Sequence, residues 1–331
     1  MEATAHSSIA PVPHIPRGVL DDLARVERRL GCELVSREPR ITAIAEHLVG
    51  AGGKRVRPLI LLLVAHAATE GPLARRDHVV EVAVALELIH SASLLHDDII
   101  DDGQTRRGRP SALARFGLGA TLVTGDFLFC RGLGICARVD ACVMRWVADL
   151  CVALTEGEML QARFRHDPRV AAADCIEIID RKTASLFATS ARIATHLAGA
   201  DPALVAAMHA CGMHLGRAFQ LKDDLLDIEG ATVCTGKPHG VDLRDGNPSL
   251  PIVLALDRDP EVRRIFVLQQ PTAMDVEQGL AHIRRTGVLH EVAERARDEL
   301  ETARAALTVL PASPCRGTLD AVLRNLGARS S

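Results

Sequence analysis

The sequence has 331 residues, 48% of them hydrophobic, and a formal charge of −3, which leaves room for one large core or two modest ones. This near-neutral charge argues against a nucleic-acid binder, since such proteins usually present a strongly basic face. The nine cysteines form neither a CxxC pair nor a Cys/His cluster at zinc spacing, so we expect buried free thiols in a reducing cytoplasm, without a zinc site or a disulfide framework.

The amino-terminal segment has the composition of a flexible tail. Residues 1–18 contain three prolines and lack the basic start and apolar stretch of a signal peptide. Further along, the longest strongly apolar run, residues 59–68, is too short to span a bilayer and is interrupted by His66. We therefore expect a soluble cytoplasmic protein with no integral membrane segment.

Apolar residues recur at helical spacing through most of the chain, whereas the alternation typical of strands is hard to find. The periodicity predicts helices over residues 20–30, 41–49, 58–69, 77–101, 111–137, 141–165, 174–198, 202–229, 274–285 and 287–309. Residues 230–251 are rich in glycine and proline, which predicts one long loop of the kind that is often functional. In the absence of a linker, the pattern predicts a single all-α domain over residues 19–331.

The first acidic cluster is HDDIID, residues 96–101, at the end of a predicted apolar helix. Asp97 and Asp101 are four residues apart and share a helix face, with Asp98 beside them. Carboxylates at a helix C-terminus repel one another and oppose the helix dipole. A bound cation would offset both effects, and ligands that are all oxygen favour Mg²⁺ or Mn²⁺.

A second cluster, FQLKDDLLDIEG, ends another long apolar helix. Gln220, Asp223, Asp224 and Asp227 form one helical stripe at the i, i+3, i+4 and i+7 positions. Two such clusters could face each other across a cavity, where several Mg²⁺ ions would bridge carboxylates to a polyphosphate. The sequence therefore predicts a metal-dependent polyphosphate site.

Basic residues accompany both clusters and suggest direct contacts to phosphate. The segment GGKRVRP supplies three of them and lacks the first glycine and the Lys-Ser/Thr pair of a Walker A motif, which disfavours nucleotide hydrolysis. The candidates are Lys54, Arg55, Arg57, Arg106, Arg107, Lys182 with Thr183, and Lys237.

Together these motifs resemble the trans-isoprenyl diphosphate synthases, also called polyprenyl synthetases. HDDIID, TRRG, GGKRVRP, the Lys-Thr pair at 182–183, FQLKDDLLD and GKPHGVDLRDGNPSLP run in that family's order over residues 50–251. The resemblance implies a helical bundle of the isoprenoid synthase type around a deep hydrophobic cavity, usually in a homodimer. It also implies head-to-tail condensation of an allylic diphosphate with isopentenyl diphosphate, with release of pyrophosphate.

The resemblance assigns roles to individual positions. Asp97, Asp101 and Asp223 would be the main Mg²⁺ ligands, assisted directly or through water by Asp98, Asp224 and Asp227. Thr183 and Gln220 would stabilise the allylic cation. The residues holding the allylic diphosphate would be Arg106, Lys182 and Lys237, and those holding isopentenyl diphosphate would be Lys54, Arg55, Arg57, His90 and Arg107.

Product length would depend on the residues one turn below the first cluster. Ala92 and Ser93 are small there, so the floor of the cavity would lie deeper, at Leu88, Ile89 or Leu133 on neighbouring turns, and we expect a product longer than C20. Asn247 departs from the family's commonest pattern, which has a lysine, and leaves one fewer cation for the diphosphate.

Three alternatives remain open at this point. A geranylgeranyl or farnesyl diphosphate synthase would differ in product length alone. A class I terpene cyclase would share one DDxxD motif and the all-α fold, but it would need neither the second DDxxD nor the basic residues at 54–57. A noncatalytic subunit of a partner synthase would usually lose one acidic cluster, and this chain has both.

Overall fold

The computed structural model describes residues 15–50, 53, 55–230 and 239–328. Helices dominate these residues, and a short antiparallel pair of strands, β1 (Thr105–Arg106) and β2 (Arg109–Pro110), forms a hairpin. This architecture confirms the all-α prediction. The helices are α1 (Arg17–Glu33), α2 (Pro39–Val49), α3 (Val56–Ala67), α4 (Arg76–Ile100), α5 (Ala112–Phe116), α6 (Leu118–Cys136), α7 (Ala141–Phe164), α8 (Ala172–Ile179), α9 (Ser185–Leu197), α10 (Pro202–Glu229), α11 (Val241–Asp245), α12 (Leu250–Leu256), α13 (Pro260–Phe266), α14 (Ala273–Arg285), α15 (Val288–Ala306) and α16 (Pro314–Ala328).

The chain forms two compact units. Unit 1 comprises the described residues within 15–148, 189–209 and 307–328, and unit 2 those within 149–188 and 210–306. A single domain over residues 19–331 therefore stays a prediction. Of the predicted tail, residues 1–14 lie outside the described residues, and Arg17 and Gly18 already belong to α1.

Helix α4 is the central element of unit 1, because it is apolar on most sides and packs most extensively against α6. Gly132 of α6 permits the close approach: a Cβ there would lie 2.8 Å from Cγ1 of Ile89 and 2.9 Å from the carbonyl oxygen of Ala85. A buried carboxylate, Asp22, joins three helices of this unit. It accepts hydrogen bonds from Nε of Arg76 at 2.8 and 2.9 Å and from Nε2 of His66 at 2.8 Å.

The core of unit 2 contains apolar residues of α8, the last turns of α10 and helices α12 to α15. A π-helical turn, Asp180–Ala184, lies between α8 and α9. Gly216 of α10 accommodates it, since a Cβ there would lie 2.3 Å from Cα of Ala184, and Gly212 accommodates the first turn of α9 in the same way, with a Cβ 2.5 Å from Cα of Ala188. The π-turn is thus packed directly against the helix that carries the second acidic cluster.

Several local predictions are corrected by the structure. The helix predicted over residues 111–137 is interrupted at Gly117, whose φ of +83° ends α5 and precedes α6. The segment 230–251 is not one loop, because it contains α11 and the start of α12; residues 231–238 lie outside the described part. Helices α12, α13 and α16 were not predicted as such.

Helices α4 and α6 are long and apolar enough to cross a membrane by length and composition, contrary to the prediction that no segment reaches that length. Buried core helices pass the same test, and 72% of the apolar window of α4 is buried, against 33% for α6. These two helices are therefore weak evidence for a membrane span.

The cysteines in the described part of the chain are free, but Cys32 and Cys130 are exposed, so the prediction of buried thiols is wrong for these two.

Candidate functional site

The first acidic cluster lies at the C-terminal end of α4 in unit 1. Asp98 is only 3% exposed, and its Oδ1 accepts hydrogen bonds from Nε (2.9 Å) and Nη2 (2.8 Å) of Arg106 in the hairpin. The other oxygen, Oδ2, is buried and has no hydrogen-bond partner among the described residues. Asp97 and Asp101 are half-buried, and Asp101 is the residue that caps α4. The three carboxylates therefore differ: one is fixed inward on an arginine, and two flank it at the helix end.

Arginines gather near this helix end. Arg55 donates from Nε to Oε1 of Glu27 at 2.6 Å and from Nη1 to Oε1 of Glu87 at 3.1 Å. A Cβ at Gly53 would lie 2.7 Å from Nη1 of Arg55 and 3.4 Å from Nη1 of Arg107, so the absence of a side chain there lets the two guanidinium groups approach each other. Clustered guanidinium groups repel one another, and an anion between them relieves that repulsion.

His90 completes this cluster as a neutral imidazole. Burial lowers its pKa well below the usual range, and the surrounding guanidinium groups of Arg57, Arg106, Arg107 and Arg55 lower it further. Nη1 of Arg57 lies 3.0 Å from Nε2 of His90. Because arginine can only donate, Nε2 accepts this hydrogen bond and the ring proton resides on Nδ1.

In unit 2, Lys182 and Thr183 lie on the π-helical turn. Such turns are rare and frequently occur at functional sites. Arg217 holds the turn with two hydrogen bonds to Asp180, at 2.6 and 2.8 Å. Nζ of Lys182 donates to Oε1 of Gln161 at 3.0 Å and forms an ion pair with Glu158.

Gln220 links the π-turn to the second acidic cluster. Oγ1 of Thr183 donates to Oε1 of Gln220 at 2.8 Å, and Nε2 of Gln220 donates to Oδ1 of Asp224 at 2.9 Å. Burial raises the pKa of Asp224; the Gln220 hydrogen bond lowers it, but Asp223 raises it further. Asp223 itself is exposed. A cation near these carboxylates would reverse the rise in pKa, because it favours the ionised form.

Asp227 ends the cluster and caps the next helix. Its Oδ1 accepts from the backbone N–H of Val241 and its Oδ2 from that of Asp242, each at 3.0 Å, at the first turn of α11. Burial raises the pKa of Asp242 well above its usual range, and Asp227 and Asp224 raise it further. Asn247 accepts at Oδ1 from Nε2 of Gln161 (3.3 Å) and Nε of Arg165 (3.1 Å). These contacts make the segment after α10 part of the same polar network.

The donor set fits a hard divalent cation. The candidate ligands are all carboxylate oxygens, and one of them, Oδ2 of Asp98, is buried without a protein partner among the described residues. No three His, Cys, Asp or Glu side chains in the described ranges are close enough to enclose a metal. Mg²⁺ commonly binds to one or two carboxylates and completes its shell with water and substrate phosphates.

Comparison with known proteins identifies the family. The model of the family described as polyprenyl synthetase matches residues 38–281. The chain belongs to the polyprenyl synthetase family. It is 33% identical to the octaprenyl diphosphate synthase of Haemophilus influenzae, covering 90% of this chain and 91% of that one. It is 35% identical to component 2 of the heptaprenyl diphosphate synthase of Geobacillus stearothermophilus, covering 93% and 96% of the two chains.

A solved structure gives the same result for the fold. The polyprenyl synthase of Caulobacter crescentus CB15, crystallised with calcium and isoprenyl diphosphate, superposes with a TM-score of 0.90 at 34% identity, covering 99% of this chain and 100% of that one. Membership of the polyprenyl synthetase family confirms the predicted isoprenoid synthase fold and the predicted class of enzyme, a prenyltransferase of isoprenoid biosynthesis.

The predicted site residues fall into two groups, one in each unit. Unit 1 brings together Arg55, Arg57, His90, Arg106 and Arg107, and Asp98 is bonded to Arg106. Unit 2 brings together Thr183, Gln220 and Asp224 by hydrogen bonds. Lys54 and Lys237 lie outside the described residues. The roles that the resemblance gave to all of these residues stay predictions.

Sequence reasoning missed several residues of these networks. Glu87, Asp242 and Gln161 contact predicted site residues, but each is a single polar residue inside an apolar or mixed segment. Glu87 had one available signal: it lies three residues before His90 on a helix that is otherwise apolar. A buried acid on such a helix requires a cationic partner.

Proposed function

We propose that this chain is a Mg²⁺-dependent trans-polyprenyl diphosphate synthase. It would condense isopentenyl diphosphate head-to-tail with an allylic diphosphate and release pyrophosphate. The observation that carries the proposal is the arginine–histidine cluster of unit 1, where four guanidinium groups surround His90 and Nη1 of Arg57 lies 3.0 Å from its Nε2. A diphosphate is the kind of ligand that such a concentration of cationic donors favours.

In this proposal the cluster holds isopentenyl diphosphate. Arg57 and Arg107 contribute charge, and the neutral His90 contributes its Nδ1–H donor. Arg55 borders the same site, and Lys54 belongs to it by resemblance. Because the imidazole is neutral before binding, it adds a hydrogen bond without adding to the repulsion among the guanidinium groups.

The allylic diphosphate is assigned to Arg106, Lys182 and Lys237. Asp97, Asp101 and Asp223 are proposed as the main Mg²⁺ ligands, with Asp98, Asp224 and Asp227 in supporting positions. Bound Mg²⁺ supplies charge neutralisation for the departing pyrophosphate. Asp98 supports the site by holding Arg106, and Asp227 by fixing the first turn of α11.

The chemistry begins with heterolysis of the allylic carbon–oxygen bond, whose electron pair leaves with pyrophosphate. The double bond of isopentenyl diphosphate then attacks the allylic carbon, which forms the new carbon–carbon bond and leaves a tertiary cation on the isopentenyl unit. A proton then passes from the carbon next to this cation to the pyrophosphate, and a new double bond forms. Thr183 donates its hydroxyl proton to Gln220, so the lone pairs of its oxygen remain available to stabilise the allylic cation electrostatically. The apolar cavity that the resemblance implies would keep the cation from water.

We propose a product longer than C20. Ala92 is fully buried on α4, and the hydroxyl of Ser93 donates to the carbonyl oxygen of His90 at 2.8 Å, so neither residue adds bulk below the acidic cluster. Leu133 of α6 is half-buried. The relatives named octaprenyl and heptaprenyl diphosphate synthases support this length.

We also propose a cytoplasmic homodimer. Leu118, Leu122 and Val123 of α6 are 58%, 42% and 53% exposed, although the helix is strongly apolar. Contiguous exposed apolar residues on one helix face favour a protein partner, and a second copy of this chain would cover them.

The proposal is tested by incubating the purified protein with Mg²⁺, labelled isopentenyl diphosphate and, separately, dimethylallyl, geranyl, farnesyl and geranylgeranyl diphosphates. We expect a ladder of products that ends beyond C20 and that disappears with EDTA or in an Asp97→Ala variant. A stop at C15 or C20 would refute the proposed length. Consumption of an allylic diphosphate without isopentenyl diphosphate would indicate a cyclase, and no reaction with any primer would refute the synthase proposal.

A further inference from the structure

Glu87 is a buried acid to which the proposed reaction gives no role. It lies on α4, one turn before His90, and its side chain is only 8% exposed. A buried carboxylate is costly unless a cation and hydrogen bonds compensate it. Its cationic partner is Arg55, whose Nη1 donates to Oε1 of Glu87 at 3.1 Å.

Arg55 holds an unusual backbone conformation. With φ of 45° and ψ of 36°, it is left-handed, and it is the residue that precedes the first turn of α3. For a side chain with a Cβ this conformation is strained and persists only where surrounding contacts hold it. Contacts to each nitrogen of its guanidinium group provide that hold: Nε donates to Glu27 at 2.6 Å, Nη1 to Glu87, and Nη2 to the carbonyl oxygen of Val49 at 3.4 Å.

The left-handed turn sets the direction of the chain on both sides of Arg55. Gly53 before it lies against the guanidinium groups of Arg55 and Arg107. Arg57 after it, in the first turn of α3, reaches His90 at 3.0 Å. A change in the orientation of Arg55 would therefore move two of the proposed diphosphate ligands, Arg57 and Arg107.

Glu87 also balances charge in the cluster. Burial lowers the pKa of Arg107, and Arg106 and Arg55 lower it further, whereas Glu87 raises it. Arg106 has its own buried carboxylate, Asp98, at 2.8 Å. The cluster thus contains two internal acids, one bonded to Arg55 and one bonded to Arg106.

We propose that Glu87, together with Glu27, is a positioning residue for the isopentenyl diphosphate site: it clamps Arg55 in the left-handed turn and thereby places Arg57 and Arg107 against the diphosphate. Arg55 is then an anchor of the site, with its donors directed to the protein. The inference rests on the proposed function, since it concerns the substrate that the cluster binds.

The sign of the effect separates positioning from simple charge balance. If Glu87 only reduced the positive potential of the cluster, its removal would strengthen the binding of an anion. If Glu87 positions the cluster, its removal weakens binding, because Arg57 and Arg107 lose their placement.

The experiment compares Glu87→Gln and Glu27→Gln with Glu81→Gln, a half-buried control on the same helix. We expect Glu87→Gln to raise the KM for isopentenyl diphosphate by about tenfold, the equivalent of one charge-assisted hydrogen bond. The KM for the allylic primer and kcat should stay within about twofold of wild type in this variant, since its partners lie in the isopentenyl diphosphate cluster. Glu27 is 45% exposed, so Glu27→Gln should fold even if Glu87→Gln does not, and it should shift the same KM in the same direction by a smaller factor.

A double-mutant cycle with Arg55→Gln adds a second readout. If the two residues act through one contact, Arg55→Gln/Glu87→Gln has a KM for isopentenyl diphosphate no higher than the worse single variant. Additive increases, or an unchanged or lower KM in both glutamate variants, would overturn the inference while wild type remains an active synthase. An inactive wild type would instead overturn the proposed function, and this inference with it.

Discussion

Gly216 lies where α10 meets the π-helical turn that carries Lys182 and Thr183, and Gly216→Ala is the sharpest test of that packing. A Cβ at this position would lie 2.3 Å from Cα and 2.9 Å from Cβ of Ala184, the last residue of the turn. The atoms that it meets include backbone, which cannot rotate away as the end of a long side chain can. The turn or the helix must therefore move.

The size of the movement follows from the contact distance. Ordinary Cβ contacts begin near 3.4 Å, so the backbone at Ala184 must retreat by about 1 Å. Overpacking of this kind costs about 1–3 kcal/mol, against a gain of about 0.5–1 kcal/mol for alanine over glycine within a helix. We expect a net loss of about 1–2 kcal/mol and a Tm lower by about 2–6 °C. Because a shift of about 1 Å can cost as much as 100-fold in rate, kcat should fall by about 10- to 100-fold.

Thermal unfolding and steady-state kinetics check both effects. Gly31→Ala is the matched control, because a Cβ there meets nothing within 4 Å, and it should be neutral or slightly stabilising. Gly212 lies one helical turn before Gly216, and a Cβ there would lie 2.5 Å from Cα of Ala188. Gly212→Ala should therefore also destabilise the protein, but it should lower kcat less than Gly216→Ala does. A Gly216→Ala protein as stable and as active as wild type would refute the argument that this glycine sets the position of the π-turn.

Three further predictions concern other parts of the molecule. Asp22→Asn should destabilise the protein by about 1–3 kcal/mol in urea unfolding at pH 7, because it removes the buried carboxylate that accepts hydrogen bonds from Arg76, Arg25 and His66. Burial raises the pKa of Asp22, but hydrogen bonds from Arg76 and other partners lower it more, so that it stays below 3.8. The contribution of Asp22 to the free energy of unfolding is therefore complete above about pH 4 and is lost as the pH falls through the lowered pKa. Asp22→Asn should reduce this acid sensitivity. Asp227→Asn should cost about 1 kcal/mol and increase proteolytic cleavage near α11, as seen by mass spectrometry of the fragments. Ala92→Phe should shorten the product ladder without loss of the first condensation, and an unchanged ladder would show that the chain does not pass this residue.

Helical periodicity predicted the long helices well and the short ones poorly. The helix predicted over residues 77–101 is observed as α4, Arg76–Ile100, because many apolar positions contribute to its signal. Helix α13 has only seven residues and gives too few turns for a period to emerge. Its N-terminal signal was nevertheless present, since Asp259 caps the helix and Pro260 is its first residue.

The sequence predicted site residues where residues of the same type recur at helical spacing. It did not predict residues whose place in the site depends on one contact with a residue far away in the sequence. The i, i+4 spacing of Asp97 and Asp101 is visible in the sequence and has a physical cost that calls for an explanation. The contact between Arg55 and Glu87 joins residues 32 positions apart and follows only from the packing of α3 on α4. Asn247 was considered only as a missing cation, but it is an acceptor for Gln161 and Arg165, which the sequence could not indicate.

The two adjacent aspartates of each DDxxD motif differ in burial, and the spacing of the motif does not reveal this difference. In each motif the second aspartate is buried and engaged inside the protein: Asp98 accepts from Arg106, and Asp224 accepts from Gln220. The first aspartate of each, Asp97 or Asp223, is more exposed. In the proposed function, the buried aspartate of each pair would support the site from inside the protein, and the more exposed one would be a main Mg²⁺ ligand. The internal donors differ between the units: Arg106 belongs to the arginine–histidine cluster of unit 1, and Gln220 accepts from the hydroxyl of Thr183 in unit 2.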